Sequence, residues 1–462
     1  LGSYPLRAMK RDLTGGPLFK ESLSFGLPLA LGTATHALFN LVDLKLVGFL
    51  GQDAVAAVHV GSVVNFLPMI LANGIGVGSV SLISRFLGSG AREKAREVSN
   101  RALYSLIVLG VILGIAGFLA ARPLIRFQNA EGAALEEGIT YLKVLSLGTV
   151  TMFVLLQVTT ALRAMGAAFR PVLLLTGANL LNLLLDLVLI FGWDPLGIPA
   201  MGVAGAAWGT VIARGLGALV GVWMLRRKTC PLRIERTSWS GLFGEMGRLF
   251  RIGLPQSTQM LVRALAVLYI TRLAAGMGGV DALAAISVGV RMDMVLFFSA
   301  AGWGAAAAAF VGHNLGARKV RRCMQAGRLY AFFAACTGVV LLVLYAWFAP
   351  QILHFFIENP SPAVVQEGVL YFRLAVFSYP TAAVALTLGS AINGAGVTLG
   401  PMVIDAIGHL GVLLPLTSTL ATVWKGRYDL SMLWLTLVVF NALVAVVYLV
   451  YFQRRKWLKR RL

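Results

Sequence analysis

Acidic residues are scarce in this sequence: 19 Asp and Glu stand among 462 residues, against 40 Lys and Arg. Charged residues of both signs reach only 13%, and the mean hydropathy is +0.81. That balance lies far from a soluble globular domain and identifies an integral membrane protein. Cysteine is rarer still. Cys230, Cys323 and Cys336 have no metal-site spacing, and two of them lie at or near basic loops, which argues against structural disulfides and redox chemistry. The five histidines likewise show no metal-binding pattern. HExxH, a GxxxxGK phosphate loop and a GxSxG nucleophile elbow are all absent, so metal-assisted hydrolysis, direct ATP coupling and acyl transfer find no support. The chain is therefore not expected to be an enzyme, and no cofactor is expected. Alternation of polar and apolar residues is also missing, which excludes a transmembrane barrel. The opening "LGSYPLRAMKRDLTGG" lacks the apolar core of a signal peptide, so the first hydrophobic helix is expected to act as the insertion signal.

What the sequence does have is long apolar runs, about twelve of them near the roughly twenty residues a helix needs to cross a bilayer. Most of the Lys and Arg fall in the termini and in alternate loops: "SRFLGSGAREKAREVSNR" (84–101), "RRKTCPLRIERTSW" (226–239), "GARKVRRCMQAGR" (316–328) and "RRKWLKRRL" (454–462). This positive-inside pattern places both termini in the cytoplasm and implies an even number of crossings of the plasma or inner membrane. The same pattern accounts for the net charge of +21 without a nucleic-acid partner. Topology and contact with anionic lipid head groups suffice.

The two halves repeat. Residues 136–175 align with 366–405 without a gap, pairing Glu137 with Glu367, Gly138 with Gly368, Tyr141 with Tyr371, Gly166 with Gly396 and Pro171 with Pro401. "FGLPLALG" (25–32) similarly aligns with "IGLPQSTQ" (252–259), and Gly74 and Gly76 with Gly302 and Gly304. Six crossings per copy give both copies one orientation, a symmetry common among transporters. The expected organisation is an amino-terminal six-helix lobe (1–228), a cytoplasmic linker (229–250) and a carboxyl-terminal six-helix lobe (251–462).

Polar residues inside the apolar runs are grouped. The first run carries Thr33, His36, Asn40 and Asp43 at spacings of three, four and three; the fifth, "ANLLNLLLDLVLIFG", carries Asn179, Asn182 and Asp186 at three and four. Each set makes one helical stripe. A carboxylate near the bilayer centre costs at least about 2.5 kcal/mol, so such residues usually face a bundle interior and mark an ion or substrate path. Their repeat positions are Ile270 and Leu416, so the carboxylates belong to one lobe only. Carboxylate, amide and hydroxyl oxygens suit either Na⁺ or a proton, and spacing does not choose between them. Thr210 on the sixth helix can add a hydroxyl. The second half has Arg263, Arg272, Arg291, Asp293 and Asp405. Arg291 and Asp293 share no helical face, and Arg263 can pair with Asp405 or Asp293, either as a structural ion pair or in substrate recognition and gating.

These pieces together resemble the MATE (multidrug and toxic compound extrusion) transporters. The resemblance spans almost the whole chain and rests on the order of "FNLVDLKLVGFLG" (39–51), "NLLNLLLDLVLIFG" (179–192), "MGVAGAAWGT" (201–210), "GHNLGARKVRRC" (312–323) and "INGAGVTLGPM" (392–402). It implies an all-α protein whose two six-helix lobes form a V-shaped cleft. It also implies antiport of amphipathic organic cations or toxic metabolites against H⁺ or Na⁺, with a monomer as the working unit. By that resemblance, Asp43, Asn182, Asp186 and Thr210 form the amino-terminal coupling site of the prokaryotic DinF-like branch, the only expected Na⁺ ligands. His36, Asn40, Asn179, Arg263, Arg291, Asp293 and Asp405 are further polar residues of the cleft. The NorM-like branch has a carboxylate on helix 7 where this chain has Arg263, which favours coupling through the first lobe. The extra arginines leave room for an anionic or zwitterionic cargo. They also suit the alternative of a lipid-linked precursor flippase of the same superfamily.

Overall fold

The computed structural model describes residues 12–128, 130–235, 242–357, 359–423 and 428–459. Among these, helices cover nearly every apolar run. We number the crossings α1 (Leu18–Gly48), α2 (Gln52–Gly88), α3 (Arg92–Leu119), α4 (Gly132–Leu147 with Thr149–Ala164), α5 (Phe169–Phe191) and α6 (Gly202–Arg226). The second set comprises α7 and α8 within Leu242–Gly316, α9 (Val320–Trp347), α10 (Pro362–Gly394), α11 (Leu399–Val423) and α12 (Leu430–Gln453). The long stretch of α7 and α8 is divided at Gly279, whose φ of 66° and ψ of −152° no side chain tolerates readily. The two segments of α4 meet at an angle of 48°. Counting the divided stretch as two crossings and the bent pair as one gives twelve.

Lipid as solvent explains which helix faces are apolar. On α5, Leu174, Ala178, Asp186 and Ile190 are buried, at spacings of four, eight and four, while Leu173, Leu180, Leu184 and Leu187 are exposed, Leu184 by 61%. The outward leucines meet hydrocarbon at no cost, and the inward face can carry the polar atoms that hydrocarbon would penalise. All backbone polar groups of a helix interior are satisfied within it, which is why the crossings are helical.

The chain forms two compact units. One contains Thr35–Leu254, and the other contains Thr14–Ala34 and Pro255–Leu462. Thus α1 and α7 each change unit along their length, α7 at Pro255 and α1 between Ala34 and Thr35, about two turns beyond Pro28, which the repeat pairs with Pro255. In the first unit a Cβ on Gly253 would lie 2.5 Å from the backbone of Gly74. Small residues let the two backbones meet there. Gly253→Val is expected to lower stability by about 1–3 kcal/mol through overpacking, read as a lower melting temperature in detergent.

The duplication persists in the packing inside each unit. Gly110 of α3 faces Val150 at the bend of α4, and Gly338 of α9 faces Pro380, the position paired with Val150. Gly61 of α2 abuts the ring of Tyr141, and Gly289 of α8 abuts the ring of Tyr371. In the first unit Tyr141 is part of a core with Val47, Ala57, Val144, Ile190, Val203 and Ala207, which knits the ends of α1, α2, α4, α5 and α6 together.

Candidate functional site

The polar stripes of α1 and α5 face each other inside the first unit. Asn182 Nδ2 donates to Asp186 Oδ2 at 2.9 Å. Its i, i+4 spacing sets this contact along one face of α5. Asp186 is fully buried, and Asp43 is half-buried. No N–H or hydroxyl group reaches Oδ1 of either residue. The two carboxyl groups lie within electrostatic reach of each other across α1 and α5. Two ionised carboxylates repel each other in a low-dielectric interior, so a proton or a cation between them relieves the pair. Two turns nearer the start of each helix, His36 Nδ1 lies 3.0 Å from Asn179 Nδ2, a second link between the same helices. The side chain of Asn40 lies outside the described residues.

Helix α6 closes the site by being small where the carboxyl needs room. A Cβ on Gly209 would overlap Asp186 Oδ1, and one on Gly205 would overlap the Leu189 carbonyl. Glycines four apart thus let α6 lie directly on α5. Thr210 is buried beside Gly209, with its hydroxyl proton given to the Ala206 carbonyl at 3.0 Å. That leaves the lone pairs of Oγ1 free to accept a proton or bind a cation. Gly209→Ala is expected to displace the Asp186 carboxyl and cut gradient-driven transport severalfold without loss of monodisperse protein. Flux per folded molecule is the measurement.

Two neighbours of this cluster went unnoticed as site residues in the sequence. Tyr141 and Arg214 lie within electrostatic reach of Asp43, and Arg214 also of His36. Arg214 follows Thr210 by four residues, so the two share a face of α6. That spacing was the available signal.

The sequence model of the MatE family matches residues 28–188 and 255–419, one stretch in each repeat. The chain belongs to the MatE family. A probable multidrug resistance protein, YoeA of Bacillus subtilis (strain 168), is 28% identical over 401 residues, covering 86% of each chain. The solved outward-facing conformation of a multidrug resistance MATE transporter of the MOP superfamily has a TM-score of 0.89 at 24% identity, covering 98% of both chains. A MOP superfamily transporter from Pyrococcus furiosus Vc1 (DSM3638), described with a binding pocket of reversed polarity, gives 0.88 at 23% identity over 100% of both. The chain is thus a multi-pass membrane protein of a multidrug efflux transporter family.

The second unit of this MatE protein uses its polar residues differently. Arg263 Nη2 donates to Asp405 Oδ2 at 2.8 Å, Tyr448 Oη donates to Asp405 Oδ1 at 3.0 Å, and His409 Nδ1 lies 2.9 Å from the Asp405 carbonyl. In the repeat, Arg263 stands where the first lobe has His36, and His409 where it has Asn179. The same pair of helices therefore meets at the same level in both lobes, through neutral groups in one and an ion pair in the other. A π-helical stretch, Ile407–Leu413, follows Asp405. Pro415, just beyond it, has no N–H to continue the regular pattern.

Asp293 is not the partner of Arg263. It accepts from Tyr371 Oη at 2.6 Å and from Tyr379 Oη at 2.5 Å. Both oxygens of the carboxylate are satisfied by neutral donors. Arg291 is half-buried and makes no ion pair among the described residues, and Arg272 is exposed.

Proposed function

We propose that the chain is a secondary antiporter in which protons entering the Asp43–Asp186 pair drive the export of an amphipathic organic drug or toxic metabolite by alternating access. The observation that carries this reading is the placement of two carboxyl groups, Asp43 and Asp186, on facing helices inside the membrane, with Oδ1 of each left without a donor. A pair that holds one proton when closed can release it when solvent or another cation reaches the site, and the change of charge alters what else can stay there. Asn182 holds one oxygen of Asp186, and the buried Thr210, next to the Gly209 that lies against Asp186, offers a further oxygen. Protonation shifts the conformational equilibrium only by its differential affinity for the two states, so the titrating group must be fixed by residues that move with the helices. Asp43 and Asp186, on separate helices, meet that requirement.

The working unit is a monomer in the cytoplasmic membrane, both termini facing the cytoplasm, as the excess of Lys and Arg in alternate loops supports. The multidrug description of the relatives supports a cargo with a large apolar body. The test is efflux of a fluorescent amphiphile from proteoliposomes under a proton gradient and a sodium gradient imposed separately. Efflux driven by the proton gradient alone supports the reading. Efflux driven only by sodium would transfer the site to Na⁺, with Asp43, Asn182, Asp186 and Thr210 as its oxygen ligands.

A further inference from the structure

Arg214 has no place in the coupling chemistry just described, yet it occupies the midpoint of α6, Gly202–Arg226, the most expensive depth for a cation. Its guanidinium has five N–H donors in a planar fork. Among the described residues it makes no ion pair, and its hydrogen bond is to a thioether, Met152 Sδ, at 3.7 Å. Sulfur is a weak acceptor, so nearly all of the donor capacity is unspent. The side chain is half-buried rather than sealed in the core, as are Asp43, His36, Asn179 and Asn182, whereas Asp186 is fully buried. A cation at that depth with open donors and partial access is arranged to meet something that arrives.

We infer that Arg214 is a specificity-determining residue that reads an oxyanion on the cargo, so that the first lobe takes zwitterionic amphiphiles in preference to simple organic cations. The inference rests on the antiport reading above and adds the cargo's charge to it. The argument is one of charge balance. With the one proton that the antiport reading gives it, the carboxyl pair carries one negative charge, and Arg214, in electrostatic reach of Asp43, carries one positive charge. A simple cation attracted by the carboxyl pair would be repelled by Arg214, and a simple anion would meet the reverse. A molecule bearing both charges satisfies both ends. A carboxylate or phosphate oxygen pair also fits the planar fork in a way that water and a thioether do not. Thr210, on the same face of α6 one turn earlier and next to the Gly209 that lies against Asp186, keeps an accepting hydroxyl oxygen.

Rhodamine B and its ethyl ester test this directly, because they share one apolar body and differ by a free carboxylate. Purified protein in detergent is titrated with each dye by fluorescence anisotropy, and proteoliposome efflux of each is measured under a proton gradient. The unmodified protein is expected to bind and move the free acid better than the ester. Arg214→Gln should weaken the free acid about tenfold, as loss of a charge-assisted hydrogen bond would, and leave the ester unchanged or improved. Arg214→Lys, which keeps the charge without the fork, should retain part of the preference, and it carries the test if the glutamine variant does not fold. Met152→Leu, which removes only the thioether contact, should leave the preference intact. A ratio of the two dyes that is the same with and without the arginine overturns the inference, even with antiport intact. Preference in binding without gradient-driven flux would instead sink the antiport reading and keep the role of Arg214.

Discussion

Asp186→Asn is expected to reduce proton-driven efflux about a hundredfold, near the upper end of the coupling a single site carries, while binding of the cargo and the fold are retained. The substitution is nearly isosteric. The new amide can still accept from Asn182 at the position now held by Asp186 Oδ2, and it can donate to Asp43, so the contact between α1 and α5 survives. What is lost is the ability to take and release a proton. Asp43→Asn should behave similarly, because it removes the other carboxyl group of the pair. Asp186→Glu, which restores the acid at a shifted position, should recover part of the flux. Efflux per reconstituted molecule under an imposed proton gradient, together with anisotropy binding of the same dye, separates coupling from affinity. Unchanged efflux in both asparagine variants would make the pair a structural clasp between two helices.

Arg263→Met is expected to be the most destabilising single change of a polar residue in the second lobe, by about 3–5 kcal/mol, because it leaves a buried charge without its partner. Asp405 is 0% exposed, while the Arg263 side chain is 23% exposed. The asymmetry predicts the order of the single variants. Asp405→Leu should cost less, since the freed guanidinium can extend toward a polar region along its aliphatic stem. The double variant Arg263→Met with Asp405→Leu should recover most of the loss, because a well-packed apolar pair of similar volume often matches or exceeds a buried ion pair. Tyr448 Oη would still have the Pro401 carbonyl at 3.2 Å. Thermal unfolding in detergent gives the order of stabilities. If Arg263→Met melts like the unmodified protein but transports less, the pair acts in gating and not in holding the lobe together.

The stripes of α1 and α5 were legible in the sequence because helical spacing fixes a face: His36 and Asp43, and Asn179, Asn182 and Asp186, are on those faces in the structure. Their mutual contact was not legible, since spacing along one helix says nothing about which other helix it meets. The pairing of Arg263 with Asp405 was one of two options in the sequence, and Asp293 was resolved by two tyrosines that carry no charge signal at all. Tyr371 was visible only as the repeat partner of Tyr141, and its reason for being there is a hydrogen bond across helices. Arg214 was hidden by its surroundings in "WGTVIARG", where it reads as an ordinary basic residue until its distance from both ends of α6 and its shared face with Thr210 are considered. The twelve crossings were countable from apolar length, whereas the change of unit along α1 and α7 leaves no trace in hydropathy.

In the proposed cycle the Asp43–Asp186 pair takes up and releases a proton as the cargo moves. The most direct measurement records internal pH with a trapped indicator and dye efflux simultaneously in the same proteoliposomes, with sodium absent, for the unmodified protein and Asp186→Asn. Proton uptake that rises in fixed proportion to dye efflux, and disappears with it in Asp186→Asn, is the predicted result. Dye efflux with no accompanying proton movement, or proton movement that persists in Asp186→Asn, would contradict the account.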